Sequence, residues 1–135
     1  MVTDASGNNA QRKEGLVVAI TVDTTLSPED SGKSFLVGTD ALTVTLPATS
    51  AGVRYKFINS GADGNNIITI SPNADDAIFG TVQNAAADSV SGGVVDKDII
   101  NTKATANKGD YIVIEGDGAD GWYIVGGVGI WASEA

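Results

Sequence analysis

Strict alternation of apolar and polar side chains dominates residues 31–71 of the chain. Residues 42–46 read Leu-Thr-Val-Thr-Leu, and residues 53–57 read Val-Arg-Tyr-Lys-Phe. Because successive side chains of a strand point to opposite faces, each run places its apolar residues on one face. Two shorter apolar runs, at residues 34–37 and 67–70, complete the segment. The pattern predicts one half-buried antiparallel sheet, with the rest of the chain covering its apolar face.

The same alternation predicts the core and the connection between two of these strands. Thr39-Asp40-Ala41 separates the runs at 34–37 and 42–46, and its length favours a tight hairpin. Arg54 and Lys56 are expected on the outer face of their strand. The side chains expected to form the core are Leu42, Val44, Leu46, Tyr55, Phe57, Ile68, Ile70, Ile112 and Ile114.

Apolar runs elsewhere predict more strands. Residues 16–22 (LVVAITV) are almost continuously apolar, which indicates burial on both faces, or one face on the core and the other on a partner. Residues 110–115 and 122–125 flank the sequence GDGADG, which favours a hairpin. Ser27 and Pro28 suit the start of a short helical turn. Other short strands are expected at residues 77–80, 98–103 and 128–132, with Gly126-Gly127 ending the strand before the last one.

These elements add up to eight to ten short strands without a convincing helix. No element is predicted for residues 81–94, and no repeat of solenoid period is visible. Many short strands joined by Gly-rich turns are typical of sandwiches. We therefore expect an all-β protein: a single β-sandwich or jelly-roll-like domain over residues 16–135, preceded by an extended N-terminal arm over residues 1–15.

Composition and charge exclude several function classes. The 135 residues include neither cysteine nor histidine, which removes disulfides, thiolate and imidazole metal sites, and nucleophile–base pairs built on histidine. Seventeen acidic residues against eight basic ones give a net charge of −9. That balance disfavours nucleic-acid binding, which needs Lys and Arg to displace counterions. No apolar run has the length of a membrane span, and the N-terminus lacks a signal-peptide core.

The arm is polar and lacks the side chains needed to build a core of its own. We expect it to bind a neighbouring chain, with Arg12 and Lys13 meeting acidic groups there. The apolar runs at 16–22 and 128–131 carry more apolar surface than a thin sandwich covers, which is typical of an interface. The residues predicted to form an interface with a partner or another subunit are Arg12, Lys13, Leu16, Val18, Ile130 and Trp131.

Four patterns that could carry chemistry have simpler structural explanations. The loops at 63–66 and 117–120 offer oxygen ligands for calcium, but neither has EF-hand spacing, and hairpin turns use the same residue types. Asp75 and Asp76 are adjacent turn residues that diverge into solvent. Gly126-Gly127-Val128-Gly129 precedes no helix, so it is not a dinucleotide fingerprint. Trp122 and Trp131 could stack on a sugar, although core or interface packing is favoured. We expect no catalytic residue, metal or cofactor.

The order of these motifs resembles a module common in tailed-bacteriophage structural proteins. The resemblance is carried by residues 31–37 (SGKSFLV), 42–47 (LTVTLP) and 52–57 (GVRYKF), followed by the Gly-rich turn, tryptophan and short strand at 117–125 (DGADGWYIV). It covers about residues 27–125. Modules of this kind are found on the virion surface, in capsid decoration proteins and in tail fibres.

The resemblance implies a decoration (cement) protein without enzymatic activity. Such a protein would be located on the outer capsid surface of the virion, bind the major capsid protein and form a homotrimer. The chain is short and has neither a shaft nor a heptad segment, which favours decoration over a fibre. The alternative is a receptor- or glycan-binding domain of a tail fibre or spike. Neither class implies nucleic acid, a membrane or a cofactor.

Overall fold

The protein is all-β, with two sheets facing each other across one core, as predicted. A computed structural model describes residues 16–82 and 89–134. Two short 3-10 turns, Pro28–Asp30 and Lys103–Thr105, are its helical elements within those ranges. The strands are β1 (Val17–Ile20), β2 (Thr24–Thr25), β3 (Ser34–Val37), β4 (Leu42–Thr45), β5 (Arg54–Asn59), β6 (Ile68–Ser71), β7 (Ala77–Val82), β8 (Ser89–Gly92), β9 (Ile99–Asn101), β10 (Tyr111–Gly116), β11 (Gly121–Val128) and β12 (Trp131–Ser133).

The first six strands alternate between the two sheets. Strands β1, β3 and β5 are parallel neighbours in a seven-stranded sheet, ordered β1-β3-β5-β10-β11-β7-β8. Strands β2, β4 and β6 are parallel neighbours in a five-stranded sheet, ordered β12-β9-β6-β4-β2. The prediction of one antiparallel sheet over residues 31–71 is therefore wrong. Thr39-Asp40-Ala41 is not a hairpin but the crossing from one sheet to the other.

This half of the chain winds like three turns of a parallel β-helix, although the sequence shows no repeat. Val17 lies opposite Ser34, and Ser34 lies opposite Lys56, so successive turns advance by 17 and then 22 residues. A solenoid repeat is recognised by a fixed period. Because the connecting loops differ in length, the structural repeat leaves no such period in the sequence.

The second half completes both sheets, mostly with antiparallel strands. The hairpin predicted around GDGADG is confirmed as β10 and β11, with a bulge between Val113 and Ile114. Strand β10 pairs with β5, and β9 pairs with β6, which joins the two halves in each sheet. Gly126 and Gly127 do not end the strand as predicted, because β11 continues through them to Val128.

Gly121 is required where β11 begins. Its φ of +146° belongs to the region that favours glycine, and a Cβ added there would lie 2.0 Å from the carbonyl oxygen of Ala77. Strand β7 runs parallel to β11 at this point, with Ala77 opposite Gly121. The close approach of the two backbones therefore depends on the missing side chain.

The predicted core is confirmed: all nine side chains assigned to it are buried. An aromatic cluster fills the space between the sheets, with Tyr55 at its centre. The Tyr55 ring lies 5.4 Å from the ring of Trp122 and 6.1 Å from that of Phe35. Trp131 is also buried, near the opposite edge of the sandwich.

A buried polar network closes one end of the core and connects the two sheets. The Asn59 side-chain amide donates a hydrogen bond to Asn101 Oδ1 at 2.8 Å, and Asn101 donates to Asp110 Oδ2 at 3.2 Å. Asn66 donates to Asn59 Oδ1 and to the carbonyl oxygen of Val37. Buried polar groups of this kind are stable only when they are hydrogen-bonded to one another. The network therefore fixes how β5 and β9 are aligned across the sandwich.

Replacing Val44 with aspartate should destabilise the protein by at least about 3 kcal/mol, since a carboxylate would be buried without a partner. Val44 is fully buried. Thr69→Asp is the matched control, because Thr69 lies on the outer face of the same sheet, where a carboxylate keeps its water. Chemical denaturation measures both variants. Equal midpoints would contradict the assigned facing of the strands.

Candidate binding face on the seven-stranded sheet

The outer face of the seven-stranded sheet is the most distinctive surface of the molecule. Side chains of its strands point alternately into the core and away from it. None of the described elements packs over the outward-pointing side chains, since the five-stranded sheet covers the opposite face. A sheet face exposed to water normally carries polar side chains. This face instead carries apolar side chains in a row that crosses five of its seven strands.

Five apolar side chains line up across five neighbouring strands of this face. Ala19 pairs with Leu36, Leu36 pairs with Ile58, Ile58 pairs with Tyr111, and Tyr111 pairs with Val128. Their neighbours in β1, β3, β5 and β10 are inward-facing, and Val128 pairs with Tyr111, so all five lie on the outer face. Ala19 and Val128 are exposed, whereas Leu36, Ile58 and Tyr111 are half-buried. Val128 is 49% exposed. We call these five residues the apolar row.

Further apolar side chains surround the apolar row. Val17 is 54% exposed on the edge strand β1. On the other side, the exposed Tyr123 ring stacks on Phe79 with 5.1 Å between the ring centroids. Exposed Val125 lies nearby on the same strand. Contiguous exposed apolar surface in a globular protein marks a site of association.

A groove rich in basic side chains adjoins the apolar row. Ser34, Lys56 and Val113 lie in register on three adjacent strands, each two residues along its strand from the apolar row. The groove has a volume of about 250 Å³. We call it the basic groove; its lining residues are Gly32, Lys33, Ser34, Arg54, Tyr55, Lys56 and Val113.

The three cations of the basic groove are neutralised to different degrees. Lys33 forms an ion pair with Asp30 at 2.8 Å, whereas Arg54 and Glu115 approach only to 3.6 Å on exposed side chains. The Lys56 ammonium lies 4.6 Å from the centroid of the Tyr111 ring, a cation–π contact. Within the described residues no carboxylate forms an ion pair with Lys56. The groove therefore retains positive charge in a chain whose net charge is −9.

Asp30, which pairs with Lys33, and Tyr55, which lines the basic groove, both have pKa values shifted by their surroundings. Burial alone would raise the pKa of Asp30, but hydrogen bonds from Lys33 and from the Ser27 amide outweigh it and lower that pKa. The Tyr55 hydroxyl donates to the carbonyl oxygen of Ser27. Burial, with a smaller contribution from the charge of Asp30, raises the pKa of Tyr55 to about 12.

Of the residues predicted to form an interface, the four that the structure describes are divided between two edges of the sandwich. Arg12 and Lys13 lie outside the described residues. Leu16 is exposed beside β1, and Val18 is half-buried against the core. Ile130 and Trp131 lie at the opposite edge of the sandwich, where β12 contacts β8.

Ile130 and Trp131 differ in how much of each side chain reaches the surface. Ile130 is half-buried. Trp131 is 1% exposed, and its indole nitrogen donates to the Val128 carbonyl oxygen at 3.2 Å. Its ring is therefore a core side chain within this chain.

The carboxylates that were candidate ligands or candidate acids accept hydrogen bonds from backbone amides. Asp117 Oδ1 accepts hydrogen bonds from the backbone amides of residues 119, 120 and 121, which lower its pKa. Asp63 accepts from the Lys108 amide and Asp76 from the Thr49 amide, which joins segments that are distant in the chain. Asp76 is buried, so the expectation that it points into solvent is wrong. Across residues 16–82 and 89–134 no group of three or more acidic side chains could hold a metal ion. Trp122 and Trp131 are buried, so neither can stack on a sugar.

Sequence reasoning missed the apolar row because it followed only the inward-facing residues. The signal was present: Leu36 follows Phe35 and Ile58 follows Phe57, and consecutive large apolar residues in an alternating strand place one on each face. Tyr111 and Val128 are not conspicuous in the sequence. The cross-strand register alone aligns them with the others.

Comparison with known proteins yields no relative. No protein-family model, curated protein or solved structure matches the chain. In the part of the chain that the structure describes, no helix is long and apolar enough to cross a bilayer. The functional argument therefore depends on the surface of this protein itself.

The apolar row should contribute little to folding. Ile58→Thr removes an outward side chain and should lower the free energy of unfolding by about 1 kcal/mol or less. Ile112→Thr is the matched control, because Ile112 belongs to the neighbouring strand but is fully buried, and its loss should cost about 2–4 kcal/mol. Urea titrations compare the two. If Ile58→Thr is as damaging as Ile112→Thr, the face is part of the folded core.

Tyr55 should make the protein sensitive to alkaline pH. Its pKa in the folded protein, about 12, lies above the value near 10 of an unfolded tyrosine. The stability that the neutral Tyr55 hydroxyl contributes is therefore complete below about pH 10 and is lost as the pH rises towards 12. Denaturation midpoints measured across this range should fall more steeply for the wild type than for Tyr55→Phe. Parallel curves would contradict the assigned burial of the hydroxyl.

Proposed function

We propose that the protein is a non-enzymatic structural component of a tailed-bacteriophage virion, a decoration protein that binds the outer surface of the capsid and stabilises it. The observation that carries the proposal is the apolar row, an outward-facing surface that the fold itself does not need. The likeness of residues 27–125 to phage surface modules gives the kind of particle. The partner in this proposal is the major capsid protein.

The dimensions of the face suit a protein–protein contact. Seven strands spaced about 4.8 Å apart make a face roughly 29 Å wide, and strands of four to eight residues make it roughly 13–26 Å long. A stable interface buries about 800 Å² on each partner. The face supplies a large part of that area. Additional contacts from an arm, or repetition through symmetry, would bring the total into the stable range.

A homotrimer is part of the proposal and would supply such repetition. A cyclic trimer is built from heterologous contacts, in which two different surfaces of neighbouring subunits meet. Leu16 and Val18 lie at one edge of the sandwich and Ile130 lies at the other. Opposite edges of one chain are the surfaces that such a ring would join.

The N-terminal arm would add contacts to the shell. Residues 1–15 contain Arg12 and Lys13 as their basic residues. Fixing an arm costs about 1–2 kcal/mol for each ordered backbone residue, so its binding must be distributed over an extended footprint. We include in this proposal that residues 1–15 form an extended arm and that the sandwich is a jelly-roll-like domain related to the phage modules.

A receptor- or glycan-binding domain of a tail fibre or spike is the second candidate. The stacked pair of Phe79 and Tyr123 favours it, because exposed aromatic rings are suitable surfaces for sugar rings. The two candidates differ in their partner. A fibre domain would bind host cells or glycans through Tyr123, and Tyr123→Ala would abolish that binding.

Particles of the encoding phage that lack the protein provide the direct test of decoration. Added protein should sediment with them and raise the temperature at which they open. Ile58→Thr should weaken this binding at least about tenfold, because the face loses a central apolar contact. Ile100→Thr is the matched control, as Ile100 lies on the outer face of the five-stranded sheet. Equal binding by both variants, or binding of the protein only to host cells, would contradict the proposal.

Deletion of residues 1–14 tests the arm separately. The folded sandwich should keep its denaturation midpoint, because its core lies within the described strands. Affinity for particles should fall, since the contacts of the arm are lost. If the truncated protein decorates particles with unchanged affinity, the arm takes no part in binding and the sandwich alone carries it.

A further inference from the structure

We infer that the basic groove receives the carboxylate side chain of an acidic, otherwise apolar segment of the partner protein. The inference rests on the proposed function, because it concerns the same face of the seven-stranded sheet. It adds the chemistry of the partner: apolar residues opposite the apolar row and at least one Asp or Glu opposite Lys56.

Hydrogen-bond donors in the groove are available for such a carboxylate. Lys56 contacts only the face of the Tyr111 ring, which leaves its three N–H groups without an acceptor among the described residues. The Arg54 guanidinium has a single distant carboxylate, that of Glu115 at 3.6 Å. The Ser34 hydroxyl lies in register beside Lys56. Ser34, Arg54 and Lys56 thus all line one volume of about 250 Å³.

Burial of the face makes an acidic partner necessary. Lys56 is two residues from Ile58 on the same strand, and it lies against Tyr111 of the next one, so a partner that covers the apolar row also covers Lys56. An ammonium group removed from water without a counter-charge is strongly destabilising. A carboxylate on the partner removes that cost, and a partner without one is rejected.

A second copy of this face is a poor occupant. Glu115 is the one carboxylate at an outward position of the described strands in this sheet, and it already faces Arg54. Two such faces in contact would bring the cationic grooves of both copies together. Polyanions such as nucleic acids are disfavoured as well, because three basic residues cannot overcome a net charge of −9 along an extended phosphate backbone. A short acidic peptide segment fits both constraints.

The direct test is a nuclear magnetic resonance titration of the intact protein with a capped hexapeptide of alternating Glu and Val. We expect saturable shifts of the amides of Ser34, Lys56 and Val113. A peptide with Gln in place of Glu should bind with roughly fivefold lower affinity, since Gln cannot form an ion pair with Lys56. Lys56→Gln should cause a similar loss for the Glu peptide. Lys97→Gln, which removes the same charge beside the five-stranded sheet, should cause none.

Three results would overturn the inference. The first is equal affinity for the Glu and Gln peptides. The second is inorganic phosphate shifting the same amides with the affinity of the Glu peptide, which would make the groove a general anion site. The third is Lys56→Glu dissociating an oligomer of the free protein in sedimentation, which would make a second copy the occupant.

The particle assay separates this inference from the proposed function. If Ile58→Thr weakens particle binding while Lys56→Gln and Lys56→Glu bind like the wild type, the face docks on the capsid but the groove receives no carboxylate. If the Glu peptide binds in a Lys56-dependent way and the protein does not bind particles at all, the groove is an acidic-segment site and the decoration function is wrong.

Discussion

The fold depends on one constraint: every strand must bury one face between two sheets, and from β1 to β6 consecutive strands do so in different sheets. The N-terminal half satisfies this by crossing the sandwich after each strand, so that β3 to β6 supply both walls of the same core. The aromatic cluster around Tyr55 fills the space that this winding encloses. Burial of apolar area on this scale is the dominant favourable term in folding.

The buried polar network explains why the second half of the chain closes the sandwich in one register. Asn101 on β9 bonds to Asn59 on β5, which belongs to the opposite sheet, and to Asp110 just before β10. A shift of one residue in any of these strands would turn its polar side chain outward and leave its partners unsatisfied in the core. The network thus selects one alignment, while the aromatic cluster supplies most of the burial.

Alternation in the sequence predicted which side chains point into the core, but not which strands pair with one another. Val44 and Ile112 could be assigned to the core because period-two alternation depends only on the strand itself. The parallel pairing and the crossing at residues 38–41 could not, since a four-residue link can either close a hairpin or cross between sheets. The apolar row could not be predicted for the same reason. Leu36, Ile58 and Tyr111 become one surface only after the register is known.

The surface that results is unusual because the apolar row lies on the same face as Lys56, which has no ion-pair partner within residues 16–82 and 89–134. A purely structural sheet face would be expected to carry polar residues at these positions. Lys56 beside Ile58 and Val113 is costly to cover without a counter-charge, so the proposed contact would favour selective over indiscriminate association. The net charge of −9 acts in the same direction, because it keeps copies of the protein apart until the specific partner is met.

The most direct measurement is a cryo-electron microscopy reconstruction of the phage particle at a resolution that shows side chains. Our account predicts that the outer face of the seven-stranded sheet lies against the capsid protein, with the apolar row covered. The outer face of the five-stranded sheet would remain in solvent. A reconstruction in which the seven-stranded face is exposed, or in which the protein is absent from the shell, would contradict the central claim.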